Sequence, residues 1–264
     1  MKWVLIFLLF SPFTAWCEPQ DWQKTISSPE PGNFPAPRAQ KATYRLGWSK
    51  LVAGEAEASF TKPDTNVFQL QLKARSIGLV RNLWKLDASQ NALAKASTLR
   101  PISLKQVEIY SSKTVTTSLS FSDSDVTSLR TQNPPDALPA VKQKFQFQNL
   151  YDLLTALLYF RSQRLQPGDV SSLVVYPANA PYLVTLRVVG RESIQIKTGK
   201  YNALKLELNL QKINSQFHLE QSKKFKQATA WISDDSDRLL LREEVEIFVG
   251  SIWVELQNVK FIVP

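Results

Sequence analysis

Hydrophobic and polar residues alternate with period two along most of this chain, and a helical period replaces that alternation only once. Tyr44, Leu46 and Trp48 face one way while Thr43, Arg45 and Gly47 face the other. Phe68, Leu70, Leu72 and Ala74 alternate in the same way with Gln69, Gln71, Lys73 and Arg75, the signature of a half-buried strand. The pattern predicts further strands over residues 53–60, 84–94, 103–110, 114–121 and 126–131 in the first half. In the second half Val184, Leu186 and Val188 lead to Gly190-Arg191, and Leu204, Leu206, Leu208 and Leu210 alternate with polar residues. Strands over 238–248 and 252–261 close the chain. Gly190-Arg191, Gly199-Lys200 and Gly250-Ser251 read as two-residue hairpin loops with glycine first, whose twist suits paired strands. Short strands with turns between them predict an antiparallel sheet. Residues 132–144 hold three prolines, break the pattern, and read as a surface crossing.

The exception lies within residues 149–169, which predict a helix over 150–164. On a helical wheel Asp152, Thr155, Ser162 and Gln163 share one narrow arc. Leu150, Leu153, Leu154, Ala156, Leu157, Leu158, Phe160 and Leu165 spread over roughly 220°, twice the apolar stripe of an ordinary surface helix. A helix that apolar needs a partner that wraps it, and a curved sheet supplies one. Asn149 reads as the N-cap with Asp152 three residues on. Arg161 and Arg164 suit the negative end of the dipole, and Pro167-Gly168 stop the helix. The expected fold is therefore mainly β: a large curved antiparallel sheet, or partly open β-barrel, wrapping one α-helix.

The first 17 residues carry Lys2 and then an apolar run, the pattern of a secretory signal. Ala15 and Cys17 occupy the small-residue positions of a cleavage site, so cleavage is expected after Cys17, in preference to lipid attachment at it. That leaves residues 18–41 as a proline-rich leader with few apolar residues, expected to be disordered, and 42–264 as a single β-rich domain. The only cysteine and the only methionine of the 264 residues leave with the signal, so the exported body has no thiol chemistry. The formal charge, +9 over the whole chain, becomes +8 without Lys2. An excess of this size outside the cytoplasm suits contact with anionic envelope polymers or lipid headgroups. It also suits mere solubility, and its one local cluster is Lys223-Lys224-Phe225-Lys226. No recognition helix or aromatic platform points to nucleic acid, and no later stretch is long enough to span a membrane as a helix.

Candidate chemistry is sparse. His218 is the sole histidine and sits among polar residues, which argues against a Ser-His-Asp site and against zinc. Ser233-Asp234-Asp235-Ser236-Asp237-Arg238 has carboxylates enough for Ca²⁺, but lacks the glycine and distal glutamate of a calcium loop. It reads as a turn braced by Asp234 or Asp235 bonding Arg238. Glu55, Glu108 and Glu192 are the loose candidates for a paired-carboxylate glycan hydrolase. No catalytic residue, metal ligand or cofactor is assigned. Arg161 lies in the middle of the predicted helix's apolar face, where a guanidinium needs acceptors. With Leu153, Leu157 and Tyr159 it forms the candidate binding set: an anchor for an anionic headgroup, or a cation that caps carbonyls at the helix end or pairs with Glu192 or Asp169.

Several short motifs together resemble the DUF3108 family of exported bacterial proteins. They are Tyr44-x-x-x-Trp48 followed by Ala53-Gly54-x-Ala56; Asp152 through Tyr159-Phe160-Arg161; Leu165-x-x-Gly168-Asp169; Gly190-Arg191-Glu192; Gly199-x-Tyr201-x-Ala203; Trp231-x-Ser233-Asp234-Asp235-x-x-Arg238; and Phe248-x-Gly250-Ser251. Leu240 departs from the pattern, which tends to proline there. The resemblance implies a periplasmic setting and a β-rich fold, and it brings no catalytic residues. Three function classes follow: a carrier for an amphiphilic, lipid-like envelope molecule; an envelope protein- or polymer-interaction scaffold; and, last, a glycan hydrolase.

Overall fold

The computed structural model describes residues 21–134, 140–221, 225–247 and 250–262. The signal segment and the cleavage position at Cys17 lie outside these residues, as do Lys223, Lys224 and Phe248. The first limb runs β1 (Gln40–Trp48), β2 (Leu51–Thr61), β3 (Val67–Ser76), α1 (Gly78–Leu83), β4 (Leu86–Lys95), β5 (Pro101–Tyr110), β6 (Thr114–Phe121), β7 (Asp125–Asn133) and β8 (Val141–Gln146). The second begins with β9 (Leu150–Tyr151), α2 (Leu153–Ser162), β10 (Val170–Val175), β11 (Tyr182–Ile196) and β12 (Gly199–Ile213). It ends with β13 (Leu219–Gln221), β14 (Phe225–Ser233), β15 (Leu240–Ile247) and β16 (Ser251–Phe261). All the strands belong to one sheet, in the order β8-β7-β6-β5-β4-β3-β2-β1-β16-β15-β14-β12-β11-β10-β9, with β13 beside β12. The first and last strands thus pair mid-sheet, and β8 and β9 remain as separate edges, so the barrel is not closed. Every pairing is antiparallel except β9 with β10.

α2 packs against both limbs of the sheet. Phe60, Leu70, Ala92, Leu104 and Leu119 fall in one cross-strand row of β2 to β6, apolar residues aligned on one face by the register. From α2, Leu154 packs against a cluster that joins Leu104 and Leu119 of that row to Val174 and Leu183 of the other limb, and Leu158 belongs to a cluster with Phe60 and Phe68. Ala156, Tyr159 and Phe160 meet Leu173, Val184, Leu186, Leu204 and Leu206 of the opposite limb.

Several expectations are corrected. The helix is shorter than residues 150–164, because Leu150 and Tyr151 pair with Val174 and Val175 and belong to the sheet. Asn149 does not cap it; its φ of 60° makes a left-handed turn, and Asp152 is the N-cap. Leu153 and Leu157 are 40% and 48% exposed, so the helix buries one broad side only. Within the predicted crossing over 132–144, β7 runs to Asn133 and β8 begins at Val141, the two pairing antiparallel, and residues 135–139 lie outside the described residues. Gly190-Arg191 is not a loop but lies inside the long strand β11, at a bulge after Val188. The hairpin turn near Gly199 is at Lys197 and Thr198 instead. Leu79 and Leu83 belong to the short helix α1, which the alternation did not predict.

The described part of the leader lies against the body. Trp22 is buried against the body, donates from Nε1 to the Phe217 carbonyl at 2.8 Å and stacks on Phe147. Ser27 exchanges two hydrogen bonds with Ser172, each 2.9 Å. Gly32 N donates to Ser162 Oγ at 2.9 Å and Phe34 N to the Ser162 carbonyl at 3.0 Å. A Cβ on Gly32 would collide with that carbonyl, so only glycine permits so close an approach. Too polar to make a core, the leader is held by backbone hydrogen bonds to α2 and β10 instead.

Candidate functional site

The predicted site residues lie in the turn between β14 and β15 and along α2. At its start Asp152, fully buried, accepts from Leu154 N (2.8 Å) and Thr155 N (3.1 Å) through Oδ1, and from Thr155 Oγ1 (2.8 Å) through Oδ2. Thr155 Oγ1 in turn accepts from Asp152 N at 3.2 Å, completing a reciprocal capping box. Burial pushes the Asp152 carboxyl up to about 6, against the pull of these hydrogen bonds. Tyr159, buried, donates its hydroxyl to the Ser28 carbonyl at 2.6 Å, and burial raises its pKa.

At the other end the turn between β14 and β15 folds against the last carbonyls of α2. Asp235 Oδ1 accepts from Ser233 Oγ (2.8 Å), Asp237 N (2.9 Å) and Arg238 N (3.1 Å), bonding its own backbone as expected of an aspartate turn. The brace to Arg238 is thus to its backbone N–H, and its guanidinium is free to point elsewhere. It donates to the carbonyls of Arg161, Gln163 and Arg164 (the last at 3.0 Å), groups a helix leaves unsatisfied, and lies 3.2 Å over the Phe34 ring. Arg161 reaches the carbonyls of Asp237 (3.1 Å), Ser236 (2.8 Å) and Pro35. Burial lowers both guanidinium pKa values to about 10, so both stay charged at neutral pH. Asp237 is gripped by Arg38 at 2.9 and 2.6 Å, and Asp234 by Arg191 at 2.8 Å. Arg161, Tyr159, Asp235 and Arg238 therefore converge with the leader in a knot that fixes α2, and both arginines direct donors to backbone carbonyls. Leu153 and Leu157 are on the helix's exposed side, apart from that knot.

An open hollow lies elsewhere, on the charged face of the first limb. It has a volume of about 790 Å³ and crosses β1 to β5, with Lys197 and Gln257 at one side. The register defines its sides as two cross-strand rows, Thr43–Glu57–Lys73–Ser89–Val107 and Arg45–Glu55–Arg75–Asp87–Ile109. Between them runs Tyr44–Ala56–Ala74–Ala88, whose side chains turn to the opposite face. Each acid of the trough has a basic partner: Glu55 with Arg75 (2.7 Å), Glu57 with Lys41 (2.7 Å) and Asp87 with Arg81 (2.8 Å). Arg45, Lys73 and Lys197 form no ion pair among the described residues, so the trough carries unneutralised positive charge at its β1–β3 side and aliphatic Val107 and Ile109 at β5. Sequence reasoning missed this site because each row is assembled from five strands. The alternation gave the face of each residue but not its neighbours.

The other candidates do not assemble. Glu108 accepts from Tyr110 at 3.1 Å on the face opposite Glu55, and Glu192 accepts from the Trp231 indole on the β11–β12 hairpin. His218 is exposed in the turn before β13. No group of three His, Cys, Asp or Glu residues converges to hold a metal among the described residues, and none of their helices is long and apolar enough to cross a membrane.

Among solved structures the chain is similar to a β-barrel-like protein of domain of unknown function DUF1849 from Brucella abortus. The two share 8% identity with a TM-score of 0.56, over 87% of this chain and 100% of that one. That likeness concerns the fold alone. A candidate lipoprotein from Parabacteroides distasonis (9% identity, TM-score 0.35, covering 88% and 99%) and a candidate exported protein from Bacteroides fragilis (9%, 0.34, 87% and 99%) are more distant in shape. No curated protein matches in sequence. The DUF3108 model, described as a protein of unknown function, matches residues 43–257, almost the whole β body, including the Asp152, Arg161 and Arg238 positions that secure α2. This chain belongs to the DUF3108 family.

Proposed function

We propose that the protein is an exported, non-catalytic component of the periplasm that binds an anionic amphiphile of the cell envelope, in the open trough across β1 to β5. The observation that carries this reading is the trough's polarity. Arg45, Lys73 and Lys197 leave a surplus of positive charge at one side, and Val107 and Ile109 offer apolar surface at the other. An anionic head and an acyl or other apolar tail match that arrangement. The interior beside α2 is filled by core side chains and the leader, which favours the trough over a carrier cavity next to Leu153, Leu157 and Arg161. Catalysis is disfavoured because Glu55, Glu57 and Asp87 are each held by a cation, whereas hydrolysis of a glycan needs one carboxyl kept protonated beside a second.

The test is to purify the protein from its own host, extract it with organic solvent and identify co-purifying molecules by mass spectrometry. An anionic amphiphile recovered from the wild type, and depleted in the R45E/K73E variant, supports the proposal. An extract without one, or one unchanged by the charge reversals, contradicts it and moves the weight to the scaffold reading.

A further inference from the structure

A separate surface, independent of the trough reading, carries an inference of its own. Two adjacent turns at one end of the first limb expose Trp48, Leu51, Val52, Leu79, Leu83 and Trp84. Trp48 and Leu51 flank the β1–β2 turn as a cross-strand pair. Val52 follows on β2, and Leu79, Leu83 and Trp84 lie on and just after α1, which is tied to that hairpin by Ile77 N donating to the Ala53 carbonyl at 3.0 Å. Leu79 and Leu83 are 77% and 89% exposed, and their spacing of four puts them on one stripe of the helix. An isolated exposed leucine is ordinary, but six large apolar residues on two neighbouring projections form a patch of the kind that marks a binding surface.

We infer that this patch docks the protein onto the interfacial region of an anionic lipid bilayer. Tryptophans beside leucines suit the headgroup level of a bilayer, where an amphipathic ring has both water and acyl chains within reach. Lys50 lies in the β1–β2 turn between Trp48 and Leu51, and Lys85 directly follows Trp84, so cations border the apolar residues as an anionic surface requires. Arg81 is engaged by Asp87 at 2.8 and 2.9 Å, which neutralises that acid on the rim of the patch. The shape also decides. α1 has six residues and the β1–β2 turn, held to β16 by Ser49 N donating to the Ser251 carbonyl at 2.7 Å, has two, whereas a stable protein partner needs a complementary face of roughly 800 Å². Short elements can enter a fluid interface without a matching pocket.

The test measures binding of the purified protein, processed as cells process it, to vesicles of phosphatidylethanolamine with phosphatidylglycerol and to vesicles of phosphatidylcholine alone. Expected is co-sedimentation with the anionic vesicles that weakens as salt rises, and a fall of about 100-fold in affinity for L79S/L83S/W84S. K50E/K85E should abolish the preference for the anionic vesicles. An N-terminal lipid would be common to all variants, so a second measurement uses brominated acyl chains. They should quench wild-type tryptophan fluorescence, and W84F should lose a part of that quenching. Equal vesicle binding by the triple variant together with equal quenching of W84F overturns the inference. So does a wild type that ignores anionic vesicles, or one that forms a dimer dispersed by the same triple substitution.

Discussion

Replacing Arg238 by alanine is the sharpest test of how α2 is held. The side chain is 8% exposed, donates to three carbonyls at the end of the helix and covers Phe34 of the leader. Hydrogen bonds from a charged donor contribute about 1.5–3 kcal/mol each, and a partly desolvated cation–π contact about 1–2 kcal/mol. These do not add, because water can reach the freed carbonyls of Gln163 and the exposed Arg164. A net loss of about 3–5 kcal/mol is expected, a large fraction of the stability of an ordinary domain. R238K keeps the charge but cannot fork to three acceptors or lie flat on an aromatic ring, so it should recover less than half of that loss. Urea unfolding followed by circular dichroism measures both variants. If R238A costs less than about 1 kcal/mol, the guanidinium is not what secures the helix, and a ligand-binding role for Arg238 becomes the better account.

Other consequences can be checked on the same footing. The Asp152 carboxyl has a pKa near 6 when folded, against an ordinary value of 3.8, so its stabilising effect is complete below about pH 4 and is lost as pH rises through 6. Two pH units at about 1.4 kcal/mol each give about 3 kcal/mol, so wild-type stability should fall relative to D152N, which can still cap the helix, between pH 4 and 7; parallel curves refute this. G32A puts a methyl group onto the Ser162 carbonyl and should lift the leader, seen as faster amide exchange over residues 27–34 with a cost of about 1–3 kcal/mol. Unchanged exchange there would mean that the close contact is not required. G47A would collide with the Trp253 indole and should weaken the β1–β16 pairing, measured as a lower thermal midpoint.

What could be read from the sequence was what is local. Alternation placed β3 and most of β12 on their correct faces, because period two is a property of single strands. The apolar excess of α2 rightly implied a sheet on more than one side, since Leu158 packs on one limb, Phe160 on the other and Leu154 against a cluster drawn from both. The start of α2 was misplaced because Leu150 and Tyr151 fit a helical wheel as well as a strand, and only their pairing with β10 decides between them. The leader's contacts with the body were invisible, since Trp22 and Tyr159 bond carbonyls nearly 200 and more than 100 residues away in the chain. For the site, the sequence pointed to Arg161 as a buried cation in need of acceptors but could not supply them. The acceptors come from the turn before β15 and from Pro35. The trough was out of reach for the same reason, because its charged rows exist only after five strands are in register.

The account turns on whether the trough recognises a negatively charged amphiphile. Isothermal titration of the purified protein with an anionic and a zwitterionic single-chain lipid of equal tail length, below their aggregation thresholds, tests this directly. Tighter binding of the anionic lipid is expected, with R45E/K73E erasing most of the difference while R45Q/K73Q, which adds no like charge beside Glu55, Glu57 and Glu255, also weakens it and keeps the fold by circular dichroism. Equal affinities for the two lipids, or a preference that survives both charge reversals, would contradict it.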